Sequence, residues 1–522
     1  LANSLCDGDS LKLANRVNDF FQSVSKDLPK PDKSILPPKC DHIPDKYIIT
    51  VLEVEKQLMK VDIRKAPGPD GLPTWILHDF PGVLAPPICS IFNASIKQGV
   101  LPSMWKCANT RPIPKVPQPK QIEKDLRPIS LTCILSKELE THVVKWLWEL
   151  VLPSMDPYQY GAMMKCSTVH ALVEICNEWY SSTDDSREKN FIHTLLVDYS
   201  KAFDRINPNI LLNKLNALHI PPFMLHWIAD FLNDRTQKVK VGESLSDELE
   251  IWGIVPQGTK LGVFLFLLMI NDLETIVPTY KYVDDTTLFK VTNDPYDKTL
   301  QQASDQVVAW SKSNDMRINA TKTVDMVISF SKEKPNIPKV VVDGKTIDRV
   351  ETVKLLGVQL SSSLTWGPHI DYITSKAQRK LYSLNILRRS KLSPKDIITI
   401  YCSKVRPIIE YAAPVWHSGI TKEQSNALED IQVRACRIAL PGVEYLSAIN
   451  ELGIPTLDQR RQLICRSFFV KMQDPKDKLF RILPAKKANR KSTRNGSQYP
   501  LPKCRTSRYK NSFLPFALYN FQ

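Results

Sequence analysis

With 522 residues, 43% of them hydrophobic and 24% charged, the chain has enough apolar material for more than one folded domain, and disorder is excluded for most of its length. The net charge of +15 lies almost entirely after position 370, where 28 basic residues face 11 acidic ones, so we expect that end to bind a polyanion, nucleic acid before an anionic membrane surface. The 11 cysteines include no CxxC pair, which disfavours a zinc knuckle and a disulfide framework.

The first 190 residues combine helical patterns with proline-rich turns. Residues 1–48 contain one helical pattern, Leu11 to Ser25, before a proline-rich stretch, and are predicted to be a lead-in and linker. The elements predicted next, in chain order, are a helix at 47–60, a rigid turn in KAPGPDGLP (65–73), a helix at 83–99, strands in RPIPKVP and LRPISLT, and a helix at 135–152.

From residue 191 the pattern is that of an α+β unit. Its predicted elements are a buried strand at 191–200, a helix pair at 209–233, short strands in QKVKVG and IWGIVP, an apolar helix at 261–272, a hairpin in TYKYVDDTTLFKV, a helix at 299–314, and strands around 326–330, 340–342 and 354–360. The longest apolar run, Leu261 to Ile270, is about half of what a membrane-spanning helix needs. After Pro368 the chain is mainly helical and basic.

Three aspartates stand where strands end. Asp198 closes a buried strand, and Asp284 and Asp285 form the tip of the predicted hairpin. Burying carboxylates is costly unless they are paired or bind a cation, so three that converge would favour hard divalent ions and phosphoryl transfer. The alternative on composition alone is ordinary solvated turn chemistry.

The segment Tyr282–Asp285 is a YxDD signature, and the motifs around it follow in order. The chain resembles the reverse transcriptases of LINE-type (non-LTR) retrotransposons over roughly residues 50–450. The resemblance rests on KAPGPDG (65–71), LPSMWK with RPIPK (101–115), LRPISL (126–131), LVDYSKAFDRI as motif A (196–206), IVPQGTKLG as motif B (254–262), YVDDTTL as motif C (282–288), WSKSNDMRINATKT as motif D (310–323), KLLGV as motif E (354–358) and RPIIEYAAPVWH in the thumb region (406–417).

The resemblance implies an α+β, right-hand polymerase. Its expected parts are fingers at 49–190, a catalytic palm with an antiparallel sheet at 191–364, a helical thumb at 365–450, and a basic C-terminal extension at 451–522. Motif A and the motif C hairpin should then be adjacent strands of one sheet. The run KKANRKSTR (486–494) is expected to be a disordered tail that either contacts RNA or is merely solvated.

The resemblance also implies roles for individual residues. Asp198, Asp284 and Asp285 would hold two Mg²⁺ ions, with Mn²⁺ as an alternative, and Lys322 would be the general acid for pyrophosphate, unless it is a surface lysine. The substrate-binding candidates are Phe203 beneath the sugar, Gln257 and Gly258 beside the nucleotide and template, and Lys115 and Arg127 on the triphosphate. Each has a plainer alternative, core packing for Phe203, a turn for Gln257 and Gly258, and exposed surface for the cations. Asp204 is either a second acid near the metals or a helix cap.

Four residues depart from the family pattern, Thr259, Lys260 and Val263 in motif B and Val283 in motif C. Lys260 replaces a familiar residue of motif B, where it could bind phosphate or mark a decaying copy. Val283 in YVDD is expected to sit in a strand and preserve the hairpin.

The leading hypothesis is an RNA-directed DNA polymerase, a nucleotidyltransferase that copies element RNA into cDNA from an RNA template, a DNA primer and dNTPs during transposition. The alternative is an inactive, RNA-binding relic, while a two-metal nuclease is disfavoured by the motif order. No membrane partner is expected. About 48 residues before the fingers are too few for an endonuclease domain within this chain. The protein would act inside the cell, in the nucleus during integration or in the cytoplasm as a ribonucleoprotein.

Overall fold

The computed structural model describes residues 5, 8–39, 42–185, 189–252, 256–331, 335–487 and 498–522. Its α-helices are α1 Ser10–Ser23, α2 Val51–Leu58, α3 Thr74–Asp79, α4 Pro81–Gln98, α5 Ser103–Lys106, α6 Ile122–Asp125, α7 Ile134–Val151, α8 Thr168–Ser182, α9 Pro208–Ala217, α10 Pro222–Leu232, α11 Lys260–Ile270, α12 Thr299–Ser313, α13 Gly367–Arg389, α14 Pro394–Ile400, α15 Arg406–Glu410, α16 Ala413–Trp416, α17 Lys422–Ala439, α18 Tyr445–Leu452, α19 Leu457–Met472, α20 Ser507–Lys510 and α21 Phe513–Asn520.

The strands are β1 Cys107–Pro114, β2 Leu126–Thr132, β3 Phe191–Val197, β4 Arg235–Val241, β5 Ser244–Leu245, β6 Leu249–Ile251, β7 Thr279–Tyr282, β8 Asp285–Thr292, β9 Val324–Ile328, β10 Val341–Val342, β11 Lys345–Thr346, β12 Thr352–Leu355 and β13 Val358–Ser361. The 3-10 helices include Ala202–Asp204 and Lys478–Ile482. Mixed helix and sheet content agrees with the predicted α+β class. Within the described ranges, none of the helices combines the length and the apolar character needed to cross a bilayer.

The chain divides into two compact units. The first comprises Leu1–Pro157, Tyr199–Leu273 and Ala309–Ile318, and the second comprises Tyr158–Asp198, Glu274–Val308 and Asn319–Gln522. In the first unit, strands β2, β1, β4 and β5 lie side by side in that order, and β6 pairs with β4. Strands β1 and β2 form an antiparallel hairpin, whereas β1 and β4 run parallel.

The N-terminal helix α1 is part of the first unit's core. Leu13, Val17 and Phe21 are buried against Leu126 and Val239 of the sheet. A hydrogen bond from the Asn18 amide to the Ser246 hydroxyl (3.0 Å) fixes the helix to the strand connection. The segment predicted to be a lead-in and linker therefore covers apolar residues of the sheet that would otherwise be exposed to water.

The second unit contains a four-stranded antiparallel sheet in the order β7, β8, β3, β9. Strand β3 carries the motif A segment, and β7 with β8 is the motif C hairpin, so these two motifs are adjacent as predicted. Every residue of β3 is buried, including the polar His193 and Thr194, which agrees with the prediction of a buried strand. Motif E forms two strands, β12 and β13, and not the single predicted run, because Leu356 and Gly357 make a turn with positive φ angles of 46° and 88°.

The C-terminal region belongs to the same core as the sheet. Leu479, Tyr499, Phe513, Ala517 and Leu518 are buried in one cluster with residues of β3, β8 and the helices α13 to α19. The division at residue 451 stays a prediction, but in the described parts of 451–522 an apolar face underlies the basic residues. Most of the predicted disordered run KKANRKSTR, from residue 488 onward, lies outside the described residues.

A buried ion cluster ties the sheet to the loop before β12. The Asp325 side chain is fully buried, and its oxygens lie 3.0 Å from His193 Nε2 and 2.6 Å from an Arg349 guanidinium nitrogen. Arg349 also donates to the carbonyl oxygens of Ile337 and Pro338. The cluster therefore joins strands β3 and β9 to two neighbouring loops.

We predict that Asp325→Ala lowers the free energy of unfolding by about 3 kcal/mol or more, because it leaves the Arg349 charge buried without its partner. Urea-induced unfolding would measure this loss. Asp348→Ala is the control, since Asp348 is exposed and its removal should cost less than about 0.5 kcal/mol. Equal losses in the two variants would contradict the role assigned to the cluster.

Candidate active site

The sheet of the second unit brings the three predicted aspartates to one end. Val197 of β3 pairs with Thr286 of β8 at the end of the antiparallel ladder. Asp198 follows Val197 and Asp285 precedes Thr286, so the two aspartates come next in the same register. Tyr282 pairs with Asp285 and closes a two-residue turn made of Val283 and Asp284. The backbone thus places the carboxylates around one hairpin turn.

Val283 lies in the turn and not in a strand, which corrects the sequence prediction. Its φ angle is +60°, a conformation that β-branched residues rarely adopt. A two-residue hairpin needs a positive φ at its first central position when the turn is of the II′ kind, and glycine usually supplies it. The hairpin is preserved, as expected, but through a strained residue that neighbouring groups must hold in place.

The carboxylates affect one another electrostatically. Partial burial raises the pKa of Asp285, and the negative charges of Asp284 and Asp198 raise it further, to about 6. Burial also raises the pKa of Asp198, while Lys322, whose amine lies 3.9 Å from an Asp198 oxygen, opposes that rise. The structure therefore brings Lys322 to the predicted carboxylate, although most of the lysine side chain is exposed.

The loop that carries Lys322 is fastened to Asp198 by backbone contacts. Asn319 N–H donates to the Asp198 carbonyl oxygen (2.7 Å), and Asp198 N–H donates to the Thr323 hydroxyl (3.2 Å). These bonds fix the lysine-bearing loop beside the end of β3.

The donor set suits a hard divalent cation. Oxygen ligands from carboxylates are the groups that Mg²⁺ prefers, and a cation would relieve the repulsion that raises the pKa of Asp285. In the described part of the chain, no three His, Cys, Asp or Glu side chains are already drawn together as a closed metal-ligand cluster.

The substrate-binding candidates lie in the first unit. Phe203, on the 3-10 helix Ala202–Asp204, is half-buried and stacks on Phe266 of α11 with ring centroids 4.6 Å apart. One side of its ring is thus packed against the motif B helix. Asp204 is buried and accepts a hydrogen bond from the Gln257 amide (2.9 Å).

Asp204 is not a helix cap, because Asn207 caps α9. Burial raises the pKa of Asp204, and the Gln257 hydrogen bond and the positive charges of Lys201, Lys115 and Arg127 oppose the rise. The two predicted triphosphate ligands therefore lie within electrostatic range of Asp204.

Lys115 and Arg127 share one end of the β1–β2 hairpin. Arg127 is paired across the strands with Ile113, and Lys115 N–H donates to the Asp125 carbonyl oxygen (2.7 Å). Both residues are exposed, so the hairpin presents two cations at the end where residues 115–125 connect its strands. This placement suits an anionic ligand and also remains compatible with plain surface residues.

Gly258 is required by the close packing of motif B against β2. Its φ angle is +121°, and a Cβ atom there would meet the Ser130 carbonyl oxygen at 2.8 Å. The Ser130 N–H in turn donates to the Gln257 carbonyl oxygen (2.8 Å). The PQG turn is thus fastened to β2, with the Gln257 side chain directed to Asp204.

Glu140, which the sequence analysis did not identify, caps the motif B helix. Its buried carboxylate accepts hydrogen bonds from the backbone N–H groups of Lys260 (2.8 Å) and Leu261 (3.1 Å) at the first turn of α11. The amine of Lys260 contacts Glu138 (3.2 Å) and the Thr141 hydroxyl (2.6 Å). The unusual lysine of motif B therefore forms an ion pair with α7.

We predict that Asp285→Asn stabilises the protein at pH 7.5 in the absence of divalent ions. Because the pKa of Asp285 is raised to about 6, the folded state holds this proton more tightly than the unfolded chain, and the stabilisation is present below about pH 4 and lost as the pH rises to about 6. Removing the charge should raise the free energy of unfolding by roughly 1 kcal/mol, since solvent screens much of the repulsion.

Thermal unfolding at pH 7.5 and at pH 3.5 measures this effect, and the advantage of the variant should vanish at the lower pH. Added Mg²⁺ should narrow the difference at pH 7.5, since a bound cation removes the same repulsion. Asp294→Asn, in an exposed turn after β8, is the control. An Asp285→Asn variant that is less stable than the wild type at pH 7.5 would refute this electrostatic assignment.

Comparison with known proteins agrees with the resemblance inferred from the motifs. The family model described as reverse transcriptase (RNA-dependent DNA polymerase) matches residues 113–360. The chain is 26% identical over 434 residues to the probable RNA-directed DNA polymerase from transposon BS of Drosophila melanogaster, covering 79% of this chain and 47% of that protein. It is also 26% identical over 455 residues to the RNA-directed DNA polymerase from mobile element jockey of the same organism, covering 83% and 49%.

A third relative is the Pol polyprotein from the type-1 retrotransposable element R1 of Bradysia coprophila, 23% identical over 70% of this chain and 37% of that protein. The chain spans about half the length of the first two relatives, 47% and 49%. The matched segment includes the β3–β9 sheet with all three aspartates. Residues 113–360 therefore match the reverse transcriptase family, and the chain is similar over most of its length to the RNA-directed DNA polymerases of transposon BS and mobile element jockey.

Proposed function

We propose that this chain is an RNA-directed DNA polymerase that extends a DNA primer with dNTPs on an RNA template. The observation that carries the proposal is the placement of Asp198, Asp284 and Asp285 around one hairpin turn at the end of an antiparallel sheet, with Lys322 beside Asp198. The repulsion that raises the pKa of Asp285 supports it, because such a site is costly unless it binds cations.

Asp198, Asp284 and Asp285 would hold two Mg²⁺ ions, or Mn²⁺ in their place. The chemistry that such ions supply when bound is activation of the attacking primer hydroxyl and stabilisation of the phosphate oxygens. Lys322, held close to Asp198 by the 319–323 loop, carries a proton that it can give to the leaving pyrophosphate.

The first unit would bind the nucleotide. Lys115 and Arg127, at the connected end of their hairpin, suit the triphosphate, one as a point charge and the other as a fork-shaped donor. Gln257 and Gly258 form a fastened turn suited to contact with the base pair being made. The exposed part of the Phe203 ring would exclude a 2′-hydroxyl by steric contact.

In a right-hand arrangement the fingers would occupy 49–190, the palm 191–364 and the thumb 365–450. The four-stranded sheet and the helices α13 to α17 support this division. The shared core of the sheet and the C-terminal helices argues that 451–522 works together with the palm and thumb. Activity on element RNA would take place in the nucleus during integration or in a cytoplasmic ribonucleoprotein.

Primer extension on an RNA template tests the proposal, and Asp284→Asn is the decisive variant. A neutral amide cannot balance a divalent ion, so we predict loss of extension by at least about a thousandfold, with RNA affinity within about twofold of the wild type. Asp294→Asn should extend normally.

Two outcomes would count against this reading. Wild-type protein that binds RNA without extending a primer would favour the inactive, RNA-binding relic. Extension that persists in Asp284→Asn would overturn the metal-ligand assignment.

A second prediction concerns the choice of sugar. Phe203→Ala should let the enzyme incorporate rNTPs, since the ring would no longer block the 2′-hydroxyl, and we expect the dNTP over rNTP preference to fall about tenfold or more. The ratio of kcat/KM for the two substrates measures it, and dNTP extension by the same variant controls for folding. An unchanged ratio would leave Phe203 as a packing partner of Phe266.

A further inference from the structure

The catalytic turn depends on a segment that none of the recognised motifs contains, Gln159–Gly161, all of it within the second unit. The Gln159 side chain is fully buried. Its Oε1 accepts hydrogen bonds from the backbone N–H of Val283 (3.1 Å) and from that of Gly161 (2.9 Å). The one side chain therefore joins the segment to the first residue of the turn.

Backbone bonds hold the same segment beside β7. Tyr160 N–H donates to the Lys281 carbonyl oxygen (2.8 Å), and Lys281 N–H donates to the Tyr158 carbonyl oxygen (2.9 Å). The segment is thus an additional parallel partner of the strand that leads into the turn.

Gly161 leaves no space between the segment and the turn. A Cβ atom at position 161 would lie 2.3 Å from Val283 N and 2.5 Å from Val283 Cγ2. Val283 itself has a φ angle of +60°, which is unfavourable for a β-branched residue. The close contact and the hydrogen bond to Gln159 together hold this residue in a conformation that it would not keep by itself.

The C-terminal 3-10 helix holds the segment from its other side. Lys478 Nζ donates to the Gln159 carbonyl oxygen and lies 4.6 Å from the centre of the Tyr160 ring. Arg481 donates to the Tyr160 hydroxyl (3.0 Å) and to Glu174 (2.7 Å). The support of the turn therefore includes residues far outside the 113–360 match.

We propose that Gln159 is a positioning residue, which orients Asp284 and Asp285 for divalent-ion binding by holding the Val283 N–H. Asp284 directly follows Val283, so a rotation of the Val283 peptide moves the first carboxylate of the pair. Without its acceptor, the buried N–H would be unsatisfied and the turn would rearrange to pair it elsewhere. The expected effect of Gln159 on catalysis rests on the proposed polymerase function. Its expected effect on metal affinity follows from the geometry of the turn and can be measured without catalysis.

Gln159→Met tests the proposal, because methionine has a similar length and no acceptor of comparable strength. Mn²⁺ binding to the free, full-length protein is measured from the electron paramagnetic resonance signal of unbound Mn²⁺. We expect the affinity to fall about tenfold, as is usual when an outer partner of a metal ligand is lost. In primer extension, the Mg²⁺ concentration for half-maximal rate should rise and kcat should fall, with KM for dNTP within about twofold.

Gln432→Met is the matched control. Gln432 is equally buried in the second unit and bonds to Tyr401, Tyr445 and the Pro455 carbonyl oxygen, so its loss should reduce stability without changing Mn²⁺ affinity. Equal Mn²⁺ affinities for wild type and Gln159→Met, or equal losses in Gln159→Met and Gln432→Met, would overturn the proposal.

Gln159→Glu keeps the test informative if the methionine variant does not fold. A carboxylate oxygen can accept from the same two N–H groups, and the Gln159 Nε2 group has no hydrogen-bond partner within the described chain that the change would remove. This variant should bind Mn²⁺ at least as well as the wild type, and a tenfold loss would refute the role of the acceptor. Wild-type protein that binds Mn²⁺ but does not extend primers would refute the proposed function alone.

Discussion

Three carboxylates placed around one hairpin turn repel one another, and this repulsion is the constraint on which the rest of the second unit depends. The repulsion affects the pKa of Asp285, which burial and the negative charges of Asp284 and Asp198 raise to about 6. A chain free to relax would separate these groups. The antiparallel ladder between β3 and β8 prevents that, because its register fixes where Asp198 and Asp285 stand.

Contacts in other parts of the second unit stabilise the β3–β8 ladder. β3 is buried along its whole length, and the His193–Asp325–Arg349 cluster joins it to β9 and to the following loops. Helices from the C-terminal region cover the same core. An apolar core of this size can offset the unfavourable electrostatics of three neighbouring carboxylates, so the sheet keeps them together.

Much of this arrangement is predictable from the sequence. The mostly apolar segment that forms β3, the two strand-like runs around Asp284 and Asp285, and the motif order predict the sheet and the three aspartates. The alternation of residues does not reveal that Val283 has a positive φ angle, since a valine in such a run normally belongs to a strand. Nor does it reveal the roles of Gln159 and Glu140, because their partners, Val283 and the start of α11, are more than a hundred residues away.

Composition hides the packing of the C-terminal region for a related reason. Basic residues dominate the residue count after position 370, whereas Leu479 and Phe513 are buried in the same core as the sheet. The sequence also does not show that Glu138 and Thr141 of α7 are the partners of Lys260. Tertiary contacts decided each of these cases.

The contacts of Lys478 and Arg481 with the Gln159–Gly161 segment have a consequence for the order of events during protein synthesis. The aspartates and the turn are translated early, yet the last contacts that support the turn exist only after the ribosome has added residue 481. A nascent or prematurely terminated chain can therefore contain every recognised motif and still lack the complete support of the Val283–Asp284 turn.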